Sequence, residues 1–105
     1  MTPRRTSLAV LAMSGLMVAS AQAATVTITI DKLVYMPVEA KAKVGDTVEW
    51  INKDVIAHTA TARNGDWDVT IAPQKTARVV LRKAGAVDYY CRFHPNMKAR
   101  VIVAP

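Results

Sequence analysis

The sequence predicts an all-β domain of the sandwich or barrel type, and three observations carry that expectation. Short runs with apolar residues at alternate positions recur about every ten residues. Gly, Asn, Asp and Pro cluster between the runs. No stretch keeps a helical apolar period through three turns, and no repeat or low-complexity linker divides the chain.

The elements follow in order. "ATVTITI" places Val26, Ile28 and Ile30 on one face and Thr25, Thr27 and Thr29 on the other, the period of a half-buried strand. "VGDTVEWIN" has a turn at Gly45 and Asp46, then a strand on which Val48 and Trp50 share a face. Asn64 to Asp66 ("NGD") and "APQK" around Pro73 are turns that bracket a short strand, "WDVTI". "TARVVL", the turn "KAGA", the strand "VDYYC" and a closing strand "KARVIVA" complete the chain. Trp50, Tyr89 and Val101 read as core, and Trp67, beside the Asn-Gly-Asp turn, as partly exposed.

The chain has 105 residues, one Cys, two His and five Met. Residues 1–23 have the organisation of a cleaved export signal: Arg4 and Arg5, the apolar run "SLAVLAMSGLMVAS", then the small residues Ala21 and Ala23. The apolar run is short of the ~20 residues that span a bilayer, so the expectation is cleavage after Ala23, with Sec and twin-arginine export both open. Residues 24–105 then form a single domain of 82 residues, periplasmic and without stable membrane insertion. Arg4 and Arg5 are the signal's only charges, so a net charge of about +4 remains on that domain. Its Lys and Arg residues are scattered singly and not interleaved with stacking aromatics, which speaks against nucleic-acid binding.

An exported protein is expected to use cysteines in pairs, because the compartment is oxidising. Cys91 has no second cysteine. An intermolecular disulfide, a free thiol, a nucleophile and a metal-bound thiolate are the alternatives. Alternation in "VDYYC" puts Val87, Tyr89 and Cys91 on one face, with the sulfur at the inward end of a strand. The following loop, "RFHPNM", brings His94 and Met97 back toward it. His58, in "DVIAHTAT", lies thirty-three residues upstream and reaches the hairpin only through the fold. Two imidazoles, a thiolate and a weak thioether form the donor set of a blue-copper electron-transfer site. Soft sulfur suits Cu(I) and imidazole suits Cu(II), so one geometry serves both oxidation states. Zinc seldom uses Met and usually takes four strong ligands.

"GDTVEWIN", the "AH" segment and "YYCRFHPNM" resemble the type I copper proteins called cupredoxins, and within them the amicyanin and plastocyanin-like group. The resemblance covers nearly all of residues 24–105, and the C-x2-H-x2-M spacing is that of the short amicyanin loop. It implies a Greek-key β-sandwich of eight strands or so, with one copper held by His58, Cys91, His94 and Met97. Two positions depart from the familiar pattern: Phe93 stands where the group commonly has Pro, and Thr59 where it has Asn. Thr59 still offers a hydroxyl to the backbone near Arg92, which would tie the two ligand loops together. Of the two imidazoles, His94 is expected to reach the surface and His58 to be buried.

The function so implied is that of a small electron carrier, not an enzyme, which passes single electrons between redox proteins. A dehydrogenase and a c-type cytochrome are the kinds of partner expected, and the carrier is expected to be a monomer. Pro95, Phe93, Met36 and Pro37 are candidates for the partner-facing surface, with Arg92, Lys98 and Arg100 as a basic rim. The alternative is a copper-binding or copper-delivery protein whose metal does not cycle. Delivery sites tend to be rich in Met or His, and residues 24–105 contain only Met36 and Met97. A Cys91 and His94 nucleophile lacks an orienting acid and an oxyanion-hole motif.

Overall fold

The computed structural model describes residues 22–105, so the export signal read in residues 1–23 lies almost wholly outside the described residues. Among the described residues nine strands follow one another: β1 (Thr25–Asp31), β2 (Val34–Met36), β3 (Glu39–Lys43), β4 (Thr47–Asn52), β5 (His58–Ala62), β6 (Asp68–Ile71), β7 (Thr76–Val80), β8 (Gly85–Tyr90) and β9 (Lys98–Ala104). They form two sheets, ordered β2-β1-β4-β7 and β3-β9-β8-β5-β6. The chain passes repeatedly from one sheet to the other, so β1 pairs parallel with β4 and β3 parallel with β9. The fold is the expected β-sandwich.

The alternation read from the sequence sets the faces. Ile28 and Ile30 of β1, Val48 and Trp50 of β4, Val87 and Tyr89 of β8 and Val101 and Val103 of β9 are all buried between the sheets. Each such side chain contributes about 1.5–3 kcal/mol when fully withdrawn from water. Trp50, Tyr89, Tyr35 and the half-buried Trp67 stack edge to face or tilted, with successive centroids 4.8–5.7 Å apart. The Trp50 indole N–H donates to the Tyr89 hydroxyl at 3.3 Å, so the polar ends of this apolar cluster are not orphaned.

Three strands have no counterpart in the sequence reading: β2, β3 and β5. Pro37 interrupts the first pair, and "EAKAK" pairs strongly charged positions with alanines, which have little strand preference. β3 nevertheless buries Ala40 and Ala42 while its lysines face outward. In "HTATA" every position is buried, and the run holds no residue larger than His58, so neither alternation nor apolar bulk marks it.

Three aspartates brace the sandwich. Asp46 accepts the amides of Ala24 and Lys43 at 2.8 and 2.9 Å, and these bonds hold its carboxyl below the ordinary range. Asp88 is lowered by Arg100, whose Nε lies 2.7 Å away. For Asp54 burial pushes the carboxyl up, but the Leu33 amide, the His58 ring and the Lys32 amide outweigh it and the net shift is down. Carboxyls lowered by folding stabilise the native state above their unfolded value of about 4, and that stability is lost as pH falls through the folded values. The melting temperature of the metal-free protein is therefore expected to drop progressively below about pH 4. Asp46→Asn should flatten that decline. A decline equally steep in the variant would remove Asp46 from the account.

Candidate metal centre

Two ligand-bearing segments meet at one end of the sandwich, the loop from Asn52 to Thr59 and the loop after β8. Asn52, the last residue of β4 and 1% exposed, organises the loop that leads to His58. Its side-chain amide donates to the carbonyls of Ile56, Ile71 and Ala72 at 2.9–3.3 Å, and its oxygen accepts the Asp54 amide at 2.9 Å. His58 is thereby placed at the first position of β5, fully buried, although Lys53, Val55 and Ile56 of the loop before it are exposed.

Asp54 fixes the imidazole. Lys32 and Leu33 occupy the left-handed region, φ 51° and 64°, a conformation that costs a non-glycine residue about 1 kcal/mol or more. Both aim their amides at the Asp54 carboxylate, at 2.8 and 3.0 Å. The same carboxylate accepts the His58 Nε2–H at 2.7 Å. Since a carboxylate only accepts, Nε2 carries the proton and Nδ1 presents its lone pair. That Nδ1 is the atom nearest the cysteine.

The other segment is the loop Cys91–Met97 between β8 and β9, closed at its base by the pairing of Tyr90 with Lys98. Three backbone bonds curl it: His94 N–H to the Cys91 carbonyl at 3.3 Å, Met97 N–H to the His94 carbonyl at 2.8 Å, and Cys91 N–H to the Met97 carbonyl at 3.1 Å. Cys91 and Met97 are buried and His94 is half-buried. Thr59 links the two segments. Its amide donates to Cys91 Sγ at 3.3 Å, its hydroxyl accepts the Arg92 amide at 2.8 Å as expected from the sequence, and its carbonyl accepts the Tyr35 hydroxyl. Burial, then the neighbouring Cys91 and Tyr89, push the Tyr35 phenol far up, so it remains a hydrogen-bond donor at all ordinary pH values.

The donor atoms of His58, Cys91 and His94 all lie within 4.8 Å of one another. Sγ stands 3.8 Å from His58 Nδ1 and 3.7 Å from His94 Nδ1. A soft ion bonded to sulfur at about 2.3 Å and to imidazole at about 2.0 Å, with those bonds near 120° apart, separates the two donors by about 3.7 Å. The imidazole planes are inclined at 62°, their centroids 5.1 Å apart. The spacing and chemistry of this donor set fit a type I copper ion.

Of the residues that the sequence singles out as ligands, the structure brings His58, Cys91 and His94 into one cluster, and Met97 lies on the same closed loop as Cys91 and His94. Sequence reasoning missed Asp54, Asn52 and Tyr35, whose roles depend on contacts across more than one strand. Of the three rim cations, Arg92 faces Asp68 at 3.3 Å and Arg100 faces Asp88 at 2.7 Å. Lys98 makes no ion pair among the described residues.

A two-sheet sandwich with a buried cysteine sulfur between two imidazoles at one end defines a blue-copper electron-transfer protein, one that carries an electron and does not turn over a substrate. The family model described as the cupredoxin-like domain matches residues 4–103, and the chain belongs to that family. It is 32% identical over 92 residues to amicyanin of Paracoccus versutus, an alignment covering 81% of this chain and 69% of that protein. It is also 37% identical over 68 residues to the methylamine utilization protein MauL of Methylorubrum extorquens, covering 61% of this chain and 60% of the relative. A solved mutant amicyanin in its Cu(I) form superposes with a TM-score of 0.66 at 28% identity, covering 75% of this chain and 81% of that one.

Proposed function

We propose that His58 Nδ1, Cys91 Sγ, His94 Nδ1 and the Met97 thioether would hold a copper ion, and that the protein shuttles electrons among periplasmic redox proteins. The observation that carries this reading is the placing of the Cys91 sulfur between two imidazole nitrogens at 3.7 and 3.8 Å. Copper supplies the one-electron couple. The chain's own residues keep the donor set fixed while the charge changes. Asp54 and Asn52 hold His58, and Thr59 ties the cysteine to β5. Little reorganisation is then needed when an electron arrives or leaves.

The edge of His94 is the natural point of exchange. It shares a surface depression of about 440 Å³ with Leu33, Phe93, Pro95, Asn96 and Met97. Leu33 and Phe93 are 44% and 51% exposed, and Val34, Met36 and Val38 add exposed apolar surface on and beside β2. An apolar face of this kind suits short-lived docking of another redox protein. Because Asp68 and Asp88 largely offset Arg92 and Arg100, apolar contact and Lys98, more than a broad basic rim, would orient the partner. The likeness to amicyanin and to the methylamine utilization protein supports redox partners in methylamine utilisation; a dehydrogenase and a c-type cytochrome are the kinds of partner proposed, with the carrier acting as a monomer.

Cleavage after Ala23 would deliver the domain to the periplasm. Among the described residues no helix is long and apolar enough to cross a membrane. Ala24 N lies 2.8 Å from Asp46 Oδ1, so the new ammonium would meet a carboxylate already in place.

The absorption spectrum of the copper-loaded, air-oxidised protein tests the reading. An intense visible band from thiolate-to-Cu(II) charge transfer, bleached reversibly on reduction, is expected. A copper-delivery protein would bind Cu(I) without it. A finer expectation concerns Asp54. Its carboxylate favours the more positive Cu(II) state, so Asp54→Asn should raise the reduction potential. A charge a few ångströms away across partly solvated protein is worth about 1–2 kcal/mol, or roughly 40–90 mV for one electron. A potential unmoved by the substitution would show that this carboxylate only braces the loop.

A further inference from the structure

Thr59, Thr61, Asp68 and Arg92 close a ring of hydrogen bonds beside the metal centre. The Asp68 carboxylate can only accept, so the Thr61 hydroxyl donates to its Oδ1, at 2.7 Å. With that hydrogen spent, the 2.9 Å contact between the two threonine hydroxyls has Thr59 as donor. The Thr59 oxygen in turn accepts the Arg92 amide at 2.8 Å. Every step runs the same way, from amide to hydroxyl to hydroxyl to carboxylate. Arg92 completes the circuit with its own guanidinium, Nε lying 3.4 and 3.3 Å from the two Asp68 oxygens.

The ring joins three elements. Thr61 and Asp68 face one another across the β5–β6 ladder, and Arg92 follows the cysteine in the loop after β8. Thr59 is fully buried and Thr61 is 9% exposed, so water has little access to replace either hydroxyl. The Asp68–Arg92 pair is exposed and by itself adds little stability. Its consequence lies in direction: a carboxylate at the end of an aligned chain polarises each hydroxyl before it.

We propose that Thr61 and Asp68 are positioning residues for the copper centre, which tune its reduction potential by holding the Arg92 and Thr59 amides against the Cys91 segment. This rests on Cys91 being a copper ligand. The Thr59 amide donates to Cys91 Sγ, and such a bond draws electron density from the thiolate and favours Cu(I). Cutting the ring at Thr61 leaves the Thr59 hydroxyl without its acceptor and loosens Arg92. The amide then follows the sulfur less closely, the thiolate donates more strongly, and the oxidised state gains.

Thr61→Val cuts the ring without altering any charge. Three changes are expected in it: a three- to tenfold shift of the one-electron equilibrium toward Cu(II), a fall of roughly 30–60 mV; a displaced charge-transfer band; and about tenfold faster hydrogen exchange of the Arg92 amide in the metal-free protein. Asp68→Asn keeps an acceptor for Thr61 but loses the ion pair. It should show the same changes at smaller size, after subtraction of the charge effect measured in Asp88→Asn, an exposed carboxylate outside the ring. A blue wild type whose Thr61→Val variant matches it in potential, band and Arg92 exchange overturns the proposal. Should Thr61→Val not fold, Asp68→Asn decides by the same three readouts, with identity to wild type after correction overturning the proposal. A colourless wild type would instead overturn the copper reading itself.

Discussion

Cys91→Ser is expected to abolish the intense visible band and leave the β-sandwich folded. The band requires a thiolate, and a serine hydroxyl stays protonated where a cysteine bound to metal does not. Loss of a direct donor should also weaken copper binding by more than the ~10–100-fold that removal of an outer hydrogen-bonding partner costs. The fold has separate foundations. Cys91 is fully buried at the end of β8, while the core is made by Trp50, Tyr89, Tyr35 and the aliphatic faces of β1, β4 and β9. The new hydroxyl would face the Thr59 amide, which already lies 3.3 Å from Sγ, so it would not be left unsatisfied. A loss of about 1–2 kcal/mol is the scale expected for such a buried change. Absorption, copper titration and far-ultraviolet circular dichroism of the variant check all three statements. A variant that kept the intense band would remove Cys91 from the centre.

The parts of this architecture legible in the sequence are those that local pattern encodes. Alternation placed Val48 with Trp50 and Val87 with Tyr89 and Cys91, and all five are buried. The candidate ligand loop was legible because Cys91, His94 and Met97 lie within seven residues and the loop turns back on itself. Where the signal failed, the reason lies in what the strand packs against. β5 is buried at all five positions, so its small residues answer to a neighbour on each side and carry no alternation. β3 takes its place through parallel pairing with β9, a partner more than fifty residues away.

Polar residues around the centre were the least legible. A single Thr, Asp or Asn in a loop is ordinary surface chemistry until the fold supplies its partner. Asn52 is informative only once Ile56, Ile71 and Ala72 are seen to aim three carbonyls at its amide. Thr59 was the exception. Its position directly after His58, compared with the Asn common in the group, pointed to the Arg92 amide, and the bond is present at 2.8 Å. The continuation through Thr61 to Asp68 had no such guide, because Asp68 belongs to a strand whose pairing with β5 the sequence did not disclose.

Met97→Gln should keep copper bound and lower its reduction potential. Met97 is 5% exposed, and the loop at this position is held by its backbone, with the amide bonded to the His94 carbonyl and the carbonyl to the Cys91 amide. Replacing the side chain therefore leaves the turn intact, and Gln is close to Met in length and flexibility. The amide oxygen is a harder donor than a thioether, which favours Cu(II) over Cu(I). A difference of about 2 kcal/mol, the size of one hydrogen bond to a charged group, lowers a one-electron potential by roughly 90 mV. The amide nitrogen would need an acceptor in the depression beside His94 and Asn96, and if it found none the folded state would lose about 1–3 kcal/mol. Melting temperature and potential separate these effects, since packing alone moves only the first. A stable variant with the potential and spectrum of the wild type would mean that Met97 is core packing and not a copper ligand.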